Sequence, residues 1–216
     1  MILTHGANSI SRYPIYVDGP TIGGRKYNAV KIGSHIWLAE NLDYKGSIAF
    51  NTSDSLTEPR CCYYDNQPVP PFDSYGLYYN YPAVKHINDN VLQDGWRVPT
   101  VNDFNDLCEN TGGTPLSGSG LGAFTGCAIN LKSKTAWVNG PNYGNGNDKY
   151  GYNAFPSGRK FGRSFSGLGE HFNHWLIDVV DSDNSCRADI YYDANDYAYY
   201  KTKNDRMASL RLCRDI

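Results

Sequence analysis

The chain has 216 residues, enough for one large domain or two small ones, with 40% hydrophobic residues to build a core and 19% charged. A net charge of −2, a pI near 6.2 and no run of basic residues argue against nucleic acid as a partner. No apolar run approaches the ~18 residues of a membrane helix, and the opening MILTHGANSISRYPIYV lacks the charged-then-apolar pattern of a secretion signal.

Glycine (22) and tyrosine (18) are frequent, which suits a loop-rich protein of short elements rather than a helical bundle. Residues 1–24 are polar with glycine turns and read as an extension that pairs or docks. "RKYNAVKIGSHIWLAENLDY" (25–44) predicts a hairpin: Val30 and Ile32 alternate with polar residues, Gly33-Ser34 turns the chain, and Ile36 and Leu38 resume. Residues 45–74, with Pro68, Pro70 and Pro71, read as irregular. "YGLYYNYPAVKHI" (75–87) allows a short helix with Leu77, Tyr81 and Val84 on one side, and Pro82 confines it to a first turn or a break.

"GWRVPTVNDFNDLCENTGG" (95–113) carries the clearest helix signal. Thr100 is a good N-cap, and Asp103 follows at the capping-box spacing. Val101, Phe104, Leu107 and Cys108 share a face, and Gly112-Gly113 stops the helix. Short apolar pieces follow in "AINLKS" and "TAWVNG", then a loop at 144–162. "HWLIDVV" (174–180) and "ASLRLCRDI" (208–216) predict strands. No repeat or linker divides the chain, so one α+β domain spans 25–216.

One stretch fits none of these patterns. "DIYYDANDYAYY" (189–200) holds five tyrosines among Asp, Asn and Ala. Tyrosine favours strands, whereas Asp and Asn disfavour them. Together they supply what a binding surface needs: rigid aromatic area and adaptable hydrogen bonding. The competing reading is that Tyr191, Tyr192, Tyr197, Tyr199 and Tyr200 pack across strands as framework.

Seven phrases now stand in order: "VKIGSHIWLAENLDY", "YGLYYNYPAV", "GWRVPTVNDFNDL", "LKSKTAW", "DKYGYNAFPSG", a late Trp175 and "SLRLCRD". In them the chain resembles the Fibrobacter succinogenes major paralogous domain family, found in Bacteroidetes and their phages, over about 25–215. The resemblance implies a C-type-lectin-like fold, shared with formylglycine-generating enzyme. It also implies kinship with the variable proteins of diversity-generating retroelements, whose last segment is diversified to bind new ligands. Here that segment is about 164–204. Retroelement mutagenesis of Asn-type codons cannot yield Lys, Glu, Gln, Met or Trp, and none of these occurs in 176–200. The family's Ser-Ser-Ser after the late Trp is here Leu176-Ile177-Asp178, and its preceding Phe is His174.

The expectation is a non-enzymatic protein that binds a protein or glycan on a cell surface, from a phage virion or a bacterial surface. The alternative is a structural or carbohydrate-binding module of a Bacteroidetes cell. The expected ligand-binding residues are Ser164, His171, Asn173, His174, Asp178, Asp181, Asp183, Asn184, Tyr191, Tyr192, Asp193, Asn195, Tyr197 and Tyr199, gathered on one exposed face. No cofactor or metal is expected. His171, His174 and Asp178 have helical zinc spacing, but their segment reads as strand. "DSDNS" (181–185) starts like a calcium loop, yet Cys186 replaces the turn glycine and Tyr192 the closing glutamate. There is no G-x-S-x-G, H-E-x-x-H or P-loop. Cys61, Cys62, Cys108, Cys127, Cys186 and Cys213 form no C-x-x-C pair and are expected as buried thiols. The resemblance to formylglycine-generating enzyme makes Cys186 and Cys213, by position, the candidates for any catalytic pair. Trp37, Trp96 and Trp137 are expected in the core, with Arg97 holding carbonyls where the chain enters the helix.

Overall fold

The computed structural model describes residues 13–67, 75–140 and 144–216. The first half of the expected extension (1–12) and the proline run Pro68, Pro70 and Pro71 lie outside them. In chain order come β1 (Tyr16–Ile22), β2 (Arg25–Ile32), β3 (His35–Leu38), β4 (Ala49–Phe50), β5 (Arg60–Cys62) and β6 (Tyr78–Tyr79). The helices α1 (Tyr81–Asn90) and α2 (Val101–Asn110) follow, then β7 (Thr114–Leu116), β8 (Gly122–Thr125) and α3 (Ala128–Leu131). The last part is all strand: β9 (Arg159–Phe161), β10 (Ser164–Ser166), β11 (His171–Asp181), β12 (Asn184–Tyr191), β13 (Asp196–Lys203) and β14 (Cys213–Asp215).

The expected hairpin of 25–44 is the centre of a four-stranded antiparallel sheet ordered β1-β2-β3-β14. Residues 16–22 of the expected extension form its outer strand. Gly23 and Gly24 both take positive φ between β1 and β2, which suits a two-residue hairpin turn and favours glycine. A five-stranded antiparallel sheet, β11-β12-β13-β8-β7, is the second large element. Among the described residues there are two smaller sheets: β9 with β10, and β4-β5-β6, where β4 and β5 run parallel. The protein is thus mixed α+β, with three α-helices among the described residues, small sheets and much loop.

α2 forms as its capping pattern predicts. The Thr100 hydroxyl accepts from the Asp103 amide, and the Asp103 carboxylate accepts from the Thr100 amide. Contrary to the expectation that Arg97 holds carbonyls, its side chain binds carboxylates. It grips Asp103 with two bonds of 2.7 and 2.9 Å and reaches Asp215 at 2.6 Å. A planar guanidinium finds its best match in a carboxylate. α1 runs for ten residues, longer than expected, because Pro82 sits in its first turn, where no amide is needed. Its N-cap Asn80 accepts from the Ala83 amide and also donates to the Ser55 and Glu58 carbonyls, tying down the preceding loop.

Two main clusters form the core. One joins Phe104, Leu107 and Cys108 of α2 to Phe124, Trp137, Tyr152, Phe172, Ile190 and Tyr197. The other joins Val84 and Ile87 of α1 to Leu38, Trp96, Trp175 and Leu210. All four tryptophans are buried, and so are all six cysteines, as free thiols.

The segment 208–216 is a strand only at Cys213–Asp215, against expectation. Its backbone serves several neighbours instead of one ladder. Leu210 accepts from Leu42, Leu212 from Leu38, Ser209 from Trp175, and Ala208 pairs with Tyr79. At its centre the fully buried Arg211 donates to Asn41 Oδ1 and to the carbonyls of Leu38, Tyr152 and Asn153, all at 2.7–2.8 Å. Those four contacts tie the end of β3 and the loop after it to the loop around 153.

Candidate functional site

The tyrosine-rich stretch is a hairpin: the end of β12, a turn at 192–195, and the start of β13. Strand alternation sorts its side chains. Cys186, Ala188, Ile190 and Tyr197 point into the first core cluster, and Tyr199 packs on its edge. Arg187, Asp189 and Tyr191 point the other way, with Tyr200 opposite Arg187.

Three expected surface residues are buried. Tyr197 is enclosed between Phe104 and Phe172. His174 Nδ1 donates to the Trp175 carbonyl at 3.0 Å, and Nε2 of the neutral ring accepts from the Tyr197 hydroxyl at 2.6 Å. Burial pushes its imidazole down to about 3, so it is neutral inside the protein. Asn173 is buried on the opposite side of β11 and donates to the Gly158 carbonyl at 2.7 Å. The sequence reading failed here because it took polarity as exposure. Buried polar groups persist wherever partners satisfy them.

The other expected residues form two groups rather than one face. At one end of β11 and β12, Asp181 binds Lys201 at 2.6 Å and Asn184 at 2.7 Å, with exposed Asp183 beside it. Exposed Val179 and Val180 lie next to them. At the other end are His171, Tyr191, Tyr192, Asp193 and Asn195. An eight-residue strand at ~3.3 Å per residue puts roughly 23 Å between the two ends. Asp178 is occupied elsewhere, accepting from the Val101 amide at the start of α2 (2.7 Å). Ser164 is exposed on the separate β9–β10 hairpin. His171 and His174 project from opposite faces of β11, pairing with Tyr191 and Ala188, which breaks the zinc spacing apart.

The second end is firmly mounted. The Lys132 ammonium is buried over the Trp137 ring (4.7 Å) and donates to the carbonyls of Tyr192 (3.0 Å) and Ala194 (2.8 Å). Burial lowers its pKa to about 8. Asn195 accepts from the Ile129 amide at the start of α3, and the Tyr192 amide donates to Glu170. The turn backbone is therefore fixed while Tyr192 and Asp193 keep exposed atoms. Burial, with the Arg159 guanidinium, pushes His171 down to about 4, and its ring packs on Tyr191 at 4.5 Å.

Sequence reasoning missed the outer face between these ends. Arg187 holds Asp189 through two bonds of 2.8 and 2.7 Å, and both are buried. The Phe161 ring lies against three guanidinium groups, from Arg159 (4.7 Å), Arg187 (4.8 Å) and Arg206 (5.4 Å). A cleft of about 360 Å³ opens here. The available signal was the two-residue period of "SCRADIY", which sets Arg187 and Asp189 on one side of a strand.

Among the described residues, one group could in principle hold a metal: His35, Asp103 and Asp215, with ligand atoms within 4.8 Å. Arg97 already neutralises both carboxylates, and His35 also meets Asp106 at 2.9 Å. This cluster reads as a charged joint between α2, β3 and β14.

The architecture defines a mixed α+β protein with a hairpin-borne polar and aromatic surface. The family model described as the Fibrobacter succinogenes major domain matches residues 30–214, and the chain belongs to that family. No curated protein and no solved structure matches it.

Proposed function

We propose that this chain is a non-enzymatic ligand-binding protein on a C-type-lectin-like scaffold, a variable protein of a diversity-generating retroelement in a phage or bacterium. Its partner is a protein or glycan on a cell surface. The observation that carries the reading is the β12–β13 turn, where Lys132, Asn195 and Glu170 hold the backbone while Asp193 is exposed and Tyr192, resting in part on the first core cluster, keeps a partly exposed ring. Such a mount tolerates changed tips without unfolding, which diversification requires. The lack of Lys, Glu, Gln, Met and Trp in 176–200 agrees with it. Catalysis by the candidate cysteines finds no support: burial raises Cys186 to about 11 and Cys213 well above an ordinary thiol, leaving both as poor nucleophiles at neutral pH.

Two experiments test this. A near-identical template copy of the coding region for 164–204, beside a reverse transcriptase gene, is the expected genomic finding; outer-membrane assembly genes without such a copy would favour a structural surface module instead. The double variant Tyr192→Ser/Asp193→Ser should melt within a few degrees of the parent yet bind intact bacterial cells at least roughly tenfold more weakly. Unchanged cell binding would refute the role of the tip.

A further inference from the structure

We infer that the cleft between the β9–β10 hairpin and the outer face of β12 and β13 is a binding subsite for an anionic saccharide, a sugar ring bearing one carboxylate or sulfate ester. The inference rests on the ligand-binding function proposed above and names a ligand class for it.

Three observations point to this ligand. The first is an unmet donor. Arg187 is only 4% exposed, and Asp189 takes its Nε and one terminal nitrogen, but the buried Nη1 has no hydrogen-bond partner. Arg187 lines the cleft, so a ligand oxygen bound there can supply the acceptor that this buried nitrogen lacks.

The second is charge. Arg187 and Arg206 line the cleft around the Phe161 ring, with Arg159 on the same ring and Asp189 as the carboxylate among the lining residues; Lys201 and Lys203 also line it but alternate with Tyr200, so their side chains leave β13 on its other face. Lys201 is engaged by Asp181, and Arg187 by Asp189, while Arg206 meets Asp205 only at 3.7 Å. The field favours an anion. The carboxylate on the floor favours one negative charge over the two of a phosphate monoester.

The third is shape. Tyr191 and Tyr200, both half-buried, line the same cleft and offer ring faces with hydroxyl tips. Aromatic faces cover the apolar side of a sugar ring while the hydroxyls meet its polar edge. The volume of about 360 Å³ falls within the size range of small-molecule sites. An acidic peptide is favoured less. β12 is paired on both sides, and β13 lacks a second partner only over Tyr200–Lys203, an edge of four residues that is short for an extended chain to join.

The test is calorimetric titration of the full chain with trigalacturonate, with a sulfated disaccharide, with neutral maltotriose and with an Asp/Glu-rich peptide. The expected result is that trigalacturonate or the sulfated disaccharide binds at least roughly tenfold more tightly than maltotriose or the peptide, and more weakly as salt rises. The first two arms identify the source of the anion. Arg206→Gln and Tyr200→Ala, at partly exposed positions, should each weaken that binding severalfold with little change in melting temperature. Equal binding of the neutral sugar, tighter binding of the peptide, no binding of either acidic saccharide, or indifference to both substitutions would overturn the subsite. Cell binding that still depends on Tyr192 and Asp193 would then leave the broader function standing. Loss of that dependence would strike the broader reading alone.

Discussion

At the residue scale, the buried polar groups set the sharpest expectations. Tyr197→Phe leaves the His174 Nε2 without its 2.6 Å partner in a dry core, and should cost about 1–3 kcal/mol in urea unfolding. Arg211 is a stronger case. Arg211→Met would strand Asn41 Oδ1 and three backbone carbonyls in the interior, so a loss of at least about 3 kcal/mol is expected, read as a lower denaturation midpoint or failure to fold. A Met207→Leu control, buried but apolar and similar in volume, should cost less than ~1.5 kcal/mol.

At the element scale, two devices can be separated. The capping box at α2 acts on one helix end, and Thr100→Ala should cost about 1 kcal/mol. Lys132 acts on the β12–β13 turn from α3. Lys132→Met keeps the stem over Trp137 but removes both donors, so amides of 192–195 should exchange with solvent faster while those of β12's centre hold their protection. Equal loosening of both regions would mean that Lys132 supports the sheet as a whole rather than the turn. The turn's firmness matters for binding because a preorganised tip spends less conformational entropy on its ligand.

At the scale of the whole molecule, buried titratable groups bound the pH range of stability. His174 falls from 6.5 to about 3 and His171 to about 4. Unfolded, both take protons near pH 6.5, so the stability they confer is complete above 6.5 and drains away as the pH drops toward 3–4. On the alkaline side, burial raises Cys61 and Cys186 from 9 to about 11 and Cys62 to about 12. Their contribution is complete below pH 9 and declines as the pH rises through 11–12. Lys132, lowered to about 8, works in the opposite sense between 8 and 10.5 and offsets part of one thiol. Urea midpoints measured across pH should therefore plateau between about 6.5 and 9. A midpoint that keeps rising below pH 6 would show that these histidines are charged inside the native protein.

The sequence by itself determined what depends on neighbours along the chain: the hairpin turn at Gly33, the capped α2, the strand at 174–180, and the family phrases within about 25–215. Each is a periodicity, a cap or a motif, and is complete within about twenty residues. Tertiary structure alone decided which polar side chains face water. Asn173, His174 and Tyr197 look like surface residues in one dimension, yet their partners reach them only after folding: Gly158 for Asn173, Tyr197 for His174, and Phe104 and Phe172 for Tyr197. The same holds for the cleft: Phe161, Arg187 and Arg206 stand far apart in the chain, and only the packing of β9 against β12 and β13 brings their charges around one ring. Burial and charge density are sums over three-dimensional neighbours, so no local pattern in the chain could have revealed them.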